Sequence, residues 1–168
     1  MLRPFLDRWR FFALLVSAAM LATAHAFQSF GGFAPCTLCL KQRDVYWVAC
    51  GLSAIFMVIV RMPGGPRWRE TTCWVLGLVF LVGAGIAAYH AGAEWKFWPG
   101  PRTCSSAGGI VDAAAMSDFL KGANVRPPSC DEAPWVFAGL SMAGWNALVS
   151  LIMVTLSGAA ALRERSKR

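Results

Sequence analysis

Cys36 and Cys39 lie in the run Pro35-Cys36-Thr37-Leu38-Cys39-Leu40-Lys41-Gln42-Arg43, which opens into the apolar stretch 45–60. On a helix, Cys36, Cys39 and Arg43 fall at steps of three and four and share one face. Pro35 suits a helix start, since its missing N–H leaves no extra donor unpaired. The free N–H groups of a first turn favour a thiolate, and Arg43 adds a permanent cation one turn below Cys39. Both effects depress a cysteine pKa, and the thiolate is the species that reacts in disulfide exchange. The chemistry these residues predict is thiol–disulfide redox.

The elements that must carry this pair are apolar. The chain of 168 residues is 57% hydrophobic and 15% charged, against about 45–50% and about 25% in soluble domains. Four segments, 11–33, 45–60, 71–89 and 133–162, are nearly free of charge. Each approaches or exceeds the roughly 17–25 residues that cross a bilayer, the second once its flank from Leu40 is counted. The expected fold is one all-α membrane domain, a bundle of four transmembrane helices at about 11–31, 42–61, 71–90 and 135–160. A short outer loop, 32–41, follows the first span, and a long one, 91–134, follows the third.

The net charge of +7 is distributed unevenly. The N-terminus, the 61–70 turn and the tail from Arg163 hold ten Lys/Arg and three acids, and the two remaining segments, 41–44 and 94–132, hold six of each. The excess thus falls on one side of a four-span topology, which puts both termini and the 61–70 turn in the cytoplasm. No aromatic or glycine-rich pattern accompanies the arginines, so contact with anionic lipid is expected and nucleic acid is not.

Residues 3–23 also fit a secretory signal, with Ala24-His25-Ala26 as a small-x-small cleavage site. The apolar run continues to Phe33, however, and the charge pattern needs four spans, so the first is expected to be retained. In the third span Gly77, Gly83, Ala84, Gly85 and Ala88 offer a small-residue packing surface. In the long loop, Trp95, Phe97 and Trp98 before Pro99-Gly100-Pro101 fit an aromatic anchor at headgroup level. Residues 111–121 fit a short amphipathic helix, and the fourth span is expected to begin at Trp135.

This topology sorts the six cysteines. Cys36, Cys39, Cys104 and Cys130 share the outer, oxidising side, whereas Cys73 meets the reducing cytoplasm and Cys50 lies about 16 Å deeper than Cys39 on the same helix. Cys50 and Cys73 are expected to be free packing residues. A bridge across the two residues between Cys36 and Cys39 closes too small a loop to stabilise much, which favours redox for that couple. For Cys104 and Cys130, with 25 residues between them, structural and redox roles stay open. A metal site is not expected, because His25 and His90 are the only histidines and neither has ligand spacing to the cysteines.

Pro-Cys-x-Leu-Cys with Gln42-Arg43, Tyr89-His90-Ala91-Gly92-Ala93-Glu94-Trp95, Trp98-Pro99-Gly100-Pro101 before Cys104, and Cys130 before the last span resemble the DsbB family of bacterial inner-membrane disulfide-bond formation proteins. The resemblance covers nearly the whole chain. It implies an enzyme that reoxidises a soluble periplasmic DsbA-like protein of thioredoxin fold and passes the electrons to a membrane quinone, ubiquinone or menaquinone. Carried onto this sequence, Cys104 is the sulfur that the partner attacks, with Cys130 as its mate. Cys36 receives electrons from that couple, and Cys39 is the thiolate facing the quinone. Arg43 matches an arginine beside the quinone, and His90 a histidine near it. An enzyme of the vitamin K epoxide reductase type would carry its Cys-x-x-Cys late in the bundle. From another class, the alternatives are a disulfide-stapled membrane scaffold without catalysis or a small transporter, and the stretches 11–33, 45–60, 71–89 and 133–162 carry no charge to mark a transport path.

Overall fold

The computed structural model describes residues 2–33, 35–101 and 130–167. Cys104 and the expected amphipathic helix at 111–121 lie outside the described residues. A short helix α1 (Leu2–Asp7) precedes four long ones: α2 (Trp9–Ser29), α3 (Thr37–Ile59), α4 (Arg69–Glu94) and α5 (Met142–Ser166). A 3-10 turn, Gly65–Trp68, leads into α4. Among the described residues, three stretches, Trp9–Ser29, Gly65–Glu94 and Met142–Ser166, are long and apolar enough to cross a membrane. Helix α3 has 23 residues, but Lys41, Gln42, Arg43 and Asp44 make its first turns polar. Large apolar side chains such as Ile55, Leu78 and Leu151 are more than half exposed along the helices, as befits a surface turned toward lipid.

Each helix ends where its sequence forces it to. Gly32, at φ 68°, follows α2, and Gly64, at φ 76°, makes the turn after α3. Helix α4 runs past His90, where its end was expected, to Glu94. There Trp98 folds back over Gly92, so close that a Cβ on Gly92 would lie 2.0 Å from the indole. The indole N–H donates to the Tyr89 carbonyl at 2.9 Å and the ring stacks on Tyr89. Of the expected aromatic anchor, Trp98 thus closes the helix, while Phe97 is 70% exposed.

The last long helix begins at Met142 rather than Trp135. Ala138 (φ 50°) and Gly139 (φ 80°) are both left-handed, which makes the tight two-residue turn of a hairpin. Val136–Phe137 pairs with Leu140–Ser141, a small β element in a fold expected to be all helical. Ser141 then caps α5, its Oγ accepting the Gly144 N–H at 3.1 Å.

The long helices pack α2 on α3, α3 on α4 and, most extensively, α4 on α5. Trp9, Cys73, Leu76 and Phe80 are wholly buried between them. The Trp9 indole donates to Ser157 at 3.1 Å. Gly77 lies against Ser157 and Gly83 against Val45, so these two small residues do let helices approach. The starts of α2 and α4 and the end of α5 meet at one pole. There Arg10 donates to Thr72 at 3.3 Å and to the free thiol of Cys73 at 3.6 Å. Asp7 takes two bonds from Arg163 and one from Lys167, which hold its carboxyl well below the usual carboxylate range. The start of α3, the end of α4 and the start of α5 meet at the opposite pole, where the cysteine pair sits.

Candidate active site

Cys36 is the residue that caps α3. Its backbone is extended and its Sγ accepts the Cys39 N–H at 3.3 Å. Pro35 therefore stands one place before the cap rather than inside the first turn. Cys36 Sγ and Cys39 Sγ lie in hydrogen-bond contact at 3.0 Å, and both residues carry free thiols. The Cys39 S–H, and after it the nearby His90, hold Cys36 well below the usual thiol range against the opposing effect of burial. Cys39 is pushed up, first by its hydrogen bond with Cys36 and then by burial. The helix start and His90 thus favour negative charge on Cys36 over Cys39.

His90 comes from the end of α4. Its Nε2 lies 3.6 Å from Cys36 Sγ and 3.8 Å from Glu94 Oε1 one turn on. Its Nδ1 is held at 2.8 Å by Gln42. Gln42 Oε1 accepts from Asn146, and Asn146 Oδ1 accepts from the Tyr46 hydroxyl. On the other side Ser141 donates to Glu94. Helices α3, α4 and α5 are thus tied by one buried polar chain that ends on Cys36, the arrangement that makes such a network rigid.

Cys130 arrives from the segment before the hairpin, which a Lys96–Asp131 pair at 2.9 Å fastens to the end of α4. It is wholly buried and disulfide-bonded, and its Sγ lies 3.8 Å from Thr37 Oγ1. Cys36 Sγ, Cys130 Sγ and a His90 ring nitrogen all lie within 4.8 Å of one another. The fold therefore brings together a member of each expected couple, and it places His90 beside the cysteines although their sequence spacing gave no hint of it.

A cavity of about 890 Å³ opens on this cluster. Cys36, Cys39, Gln42, Arg43 and Tyr46 line it from α3, so the predicted common face exists. Phe27, Phe33, Trp135 and Trp145 are among its apolar walls. The Arg43 guanidinium donates to Gln28 Oε1 and to the Ala24 carbonyl at 3.0 Å, which fixes it across α2. Cys50 and Cys73 carry free thiols away from the cluster.

Gln42, Tyr46, Glu94, Ser141 and Asn146 carry no role in the sequence reading. The available signal was Asn146 itself, an amide within an apolar helix, since buried polar groups in spans are costly and tend to be functional. Asn146→Ala is expected to lower stability by about 1 kcal/mol, the sum of two interhelical bonds at roughly 0.6 kcal/mol each. Thermal unfolding in detergent checks this, and an unchanged midpoint would mean that the network is slack.

A sequence model of the DsbB family, described as disulfide bond formation protein DsbB, matches residues 7–160. Disulfide bond formation protein B of Marinobacter nauticus is 28% identical over 96% of each chain. That of Aromatoleum aromaticum is 30% identical, over 84% of this chain and 82% of its own. That of Nitrosomonas europaea is 28% identical over 86% of each. The matched span runs from the first long helix into the last and takes in Cys36, Cys39, Cys104 and Cys130, so this chain belongs to the DsbB family and is a membrane disulfide oxidoreductase of disulfide-bond formation.

Proposed function

We propose that this protein reoxidises a soluble DsbA-like protein of the periplasm and delivers the electrons to a quinone of the bacterial inner membrane. In this reading α2 to α5 each cross the membrane, the cysteine pole faces the periplasm, and both termini and the arginine-rich pole face the cytoplasm, a topology that the distribution of Lys and Arg supports. The observation that carries the reading is the approach of Cys130 to Cys36 within 4.8 Å, with Cys39 3.0 Å further on.

The exchange steps balance as a relay of two electrons. A donor thiolate attacks Cys104 of a Cys104–Cys130 disulfide, and Cys130 leaves as a thiolate. Cys130 attacks Cys36 of a Cys36–Cys39 disulfide, and Cys39 leaves. The donor's second thiolate then displaces Cys104, completing the donor disulfide. Cys104 takes back Cys130, and the charge is left on Cys36. The capping N–H, the Cys39 S–H and His90 hold the resulting thiolate.

The cavity suits a lipophilic ring with polar edges, since aromatic and aliphatic walls converge on Arg43, His90 and Cys39. A bound quinone supplies the oxidant, taking up two electrons and two protons. Arg43 and His90 would hold it. Arg43 stabilises negative charge that develops in the cavity. Cys39, the expected thiolate, also lines it, although its hydrogen bond with Cys36 and burial push its thiol up in the quinone-free site.

The test is to mix the purified chain with quinone and a reduced thioredoxin-like donor and to follow quinone absorbance. Catalytic bleaching is expected, and its absence would overturn the proposal. Arg43→Ala is expected to slow quinone-coupled turnover by roughly tenfold or more, about 1.4 kcal/mol, while single-turnover exchange with the donor stays within a factor of about two. Equal loss of both steps would remove Arg43 from the quinone site.

A further inference from the structure

We propose that the fully reduced site is also a redox-gated binding site for a thiophilic divalent cation such as Zn2+, held by Cys36, Cys130 and His90 with Cys39 as the fourth donor.

Three ligand atoms from three separate segments already converge within 4.8 Å, and all three residues are buried. Zn–S bonds of about 2.3 Å and Zn–N bonds of about 2.0 Å set the edges of a tetrahedral site at roughly 3.4–3.8 Å. The Cys36 Sγ to His90 Nε2 distance of 3.6 Å falls in that range. Cys39 Sγ, 3.0 Å from Cys36 Sγ, needs a side-chain rotation on the first turn of α3 to become the fourth ligand. Nε2 is directed at the sulfurs, but the Gln42 amide nitrogen donates to His90 Nδ1 at 2.8 Å, so the imidazole hydrogen sits on Nε2 in the metal-free site. Metal binding moves that hydrogen to Nδ1 and turns the Gln42 amide so that its oxygen accepts it, as an outer-shell partner does for a metal-bound histidine.

The balance is a displacement of protons. Each thiol that ligates gives up its proton to solvent and no electron moves. Three thiolates around a divalent cation leave one negative charge, and Arg43 lines the same cavity. Cys130 becomes a ligand only once its disulfide is opened, so a dithiol donor present without oxidant creates the site and reoxidation abolishes it. The cation would then lock the enzyme in its reduced form. That consequence rests on the proposed relay, whereas the binding does not.

The test is a cadmium chloride titration of the detergent-purified full chain, fully reduced with a phosphine and desalted, followed by thiolate-to-metal absorbance in the ultraviolet. One equivalent is expected to bind, with none in the oxidised chain. Cys36→Ser should lose the signal, and a Cys50→Ser/Cys73→Ser double variant should keep it. Gln42→Leu, with helix content checked by circular dichroism, should weaken binding about 10–100-fold. In wild type, zinc should halt quinone-coupled turnover and a chelator should restore it. Absence of a saturable single equivalent, or a signal that survives in Cys36→Ser, would overturn the proposal even where metal-free turnover is normal. Binding without any metal-free turnover would support the site and overturn the relay instead.

Discussion

Cys36→Ser is expected to abolish sustained quinone reduction while leaving one round of donor oxidation. Cys36 is the only described sulfur placed to meet both sides, hydrogen-bonded to Cys39 at 3.0 Å and within 4.8 Å of Cys130. Serine keeps the size of the side chain and can still cap α3, so the helix start should survive, but it can neither accept nor donate a disulfide. Turnover should fall by roughly 10³-fold or more, the scale on which loss of a nucleophile is felt. A disulfide between Cys104 and Cys130 can still be spent once. Mixing with excess reduced donor should therefore give a burst of one donor oxidised per enzyme, followed by no further change. Sustained turnover in this variant would mean that electrons reach the cavity without passing through Cys36.

The second large effect is the ionisation of the reduced pair. Hydrogen bonding with Cys39, and after it His90, pulls the Cys36 thiol well below the ordinary thiol value near about 8.5. At pH 6 the thiolate fraction at Cys36 should therefore exceed that of an ordinary cysteine many-fold. Because the folded value lies below the unfolded one, the reduced chain gains stability as pH rises through the folded value. The gain is complete above the unfolded thiol value and is lost as pH falls through the folded one. Far-ultraviolet thiolate absorbance of the reduced chain, compared with Cys36→Ser, measures the midpoint. A thiolate that titrates near the ordinary value, or one that vanishes with Cys39 alone while Cys36 stays protonated, would refute the assignment of charge.

The local features of this site were legible and the long-range ones were not. Pro35-Cys36-x-x-Cys39 before an apolar run specified a helix start with two sulfurs and Arg43 on one face, because those relations lie within two turns of one helix. Free Cys50 and Cys73 followed from depth and side of the membrane. The contact of Gln42 with Asn146 joins residues on helices that meet only in the bundle, and nothing in the spacing along either helix encodes it. The same holds for His90 and Cys36. Their sequence separation argued against His90 as a ligand, yet antiparallel helices put the end of α4 beside the start of α3. Glu94 was read into the outer loop, with the third span ended at His90. Gly92 is instead the flat place on which Trp98 lies, and the helix continues beneath it. The start of α5 was misplaced for a related reason. Residues 135–141 are apolar enough to join the span, but Ala138-Gly139 turns the chain before Ser141 can cap the helix.

The most direct test of the relay is whether Cys36 and Cys130 can bond. In a Cys39→Ser/Cys104→Ser chain, each of these two sulfurs has lost its usual mate, and a side-chain approach within 4.8 Å lets them close a disulfide without moving a helix. Mild oxidation followed by mass spectrometry of the peptides should recover a single Cys36–Cys130 cross-link in near-stoichiometric yield. Recovery of both cysteines as free, alkylated thiols under conditions that oxidise Cys36 with Cys39 in the wild-type chain would contradict the account.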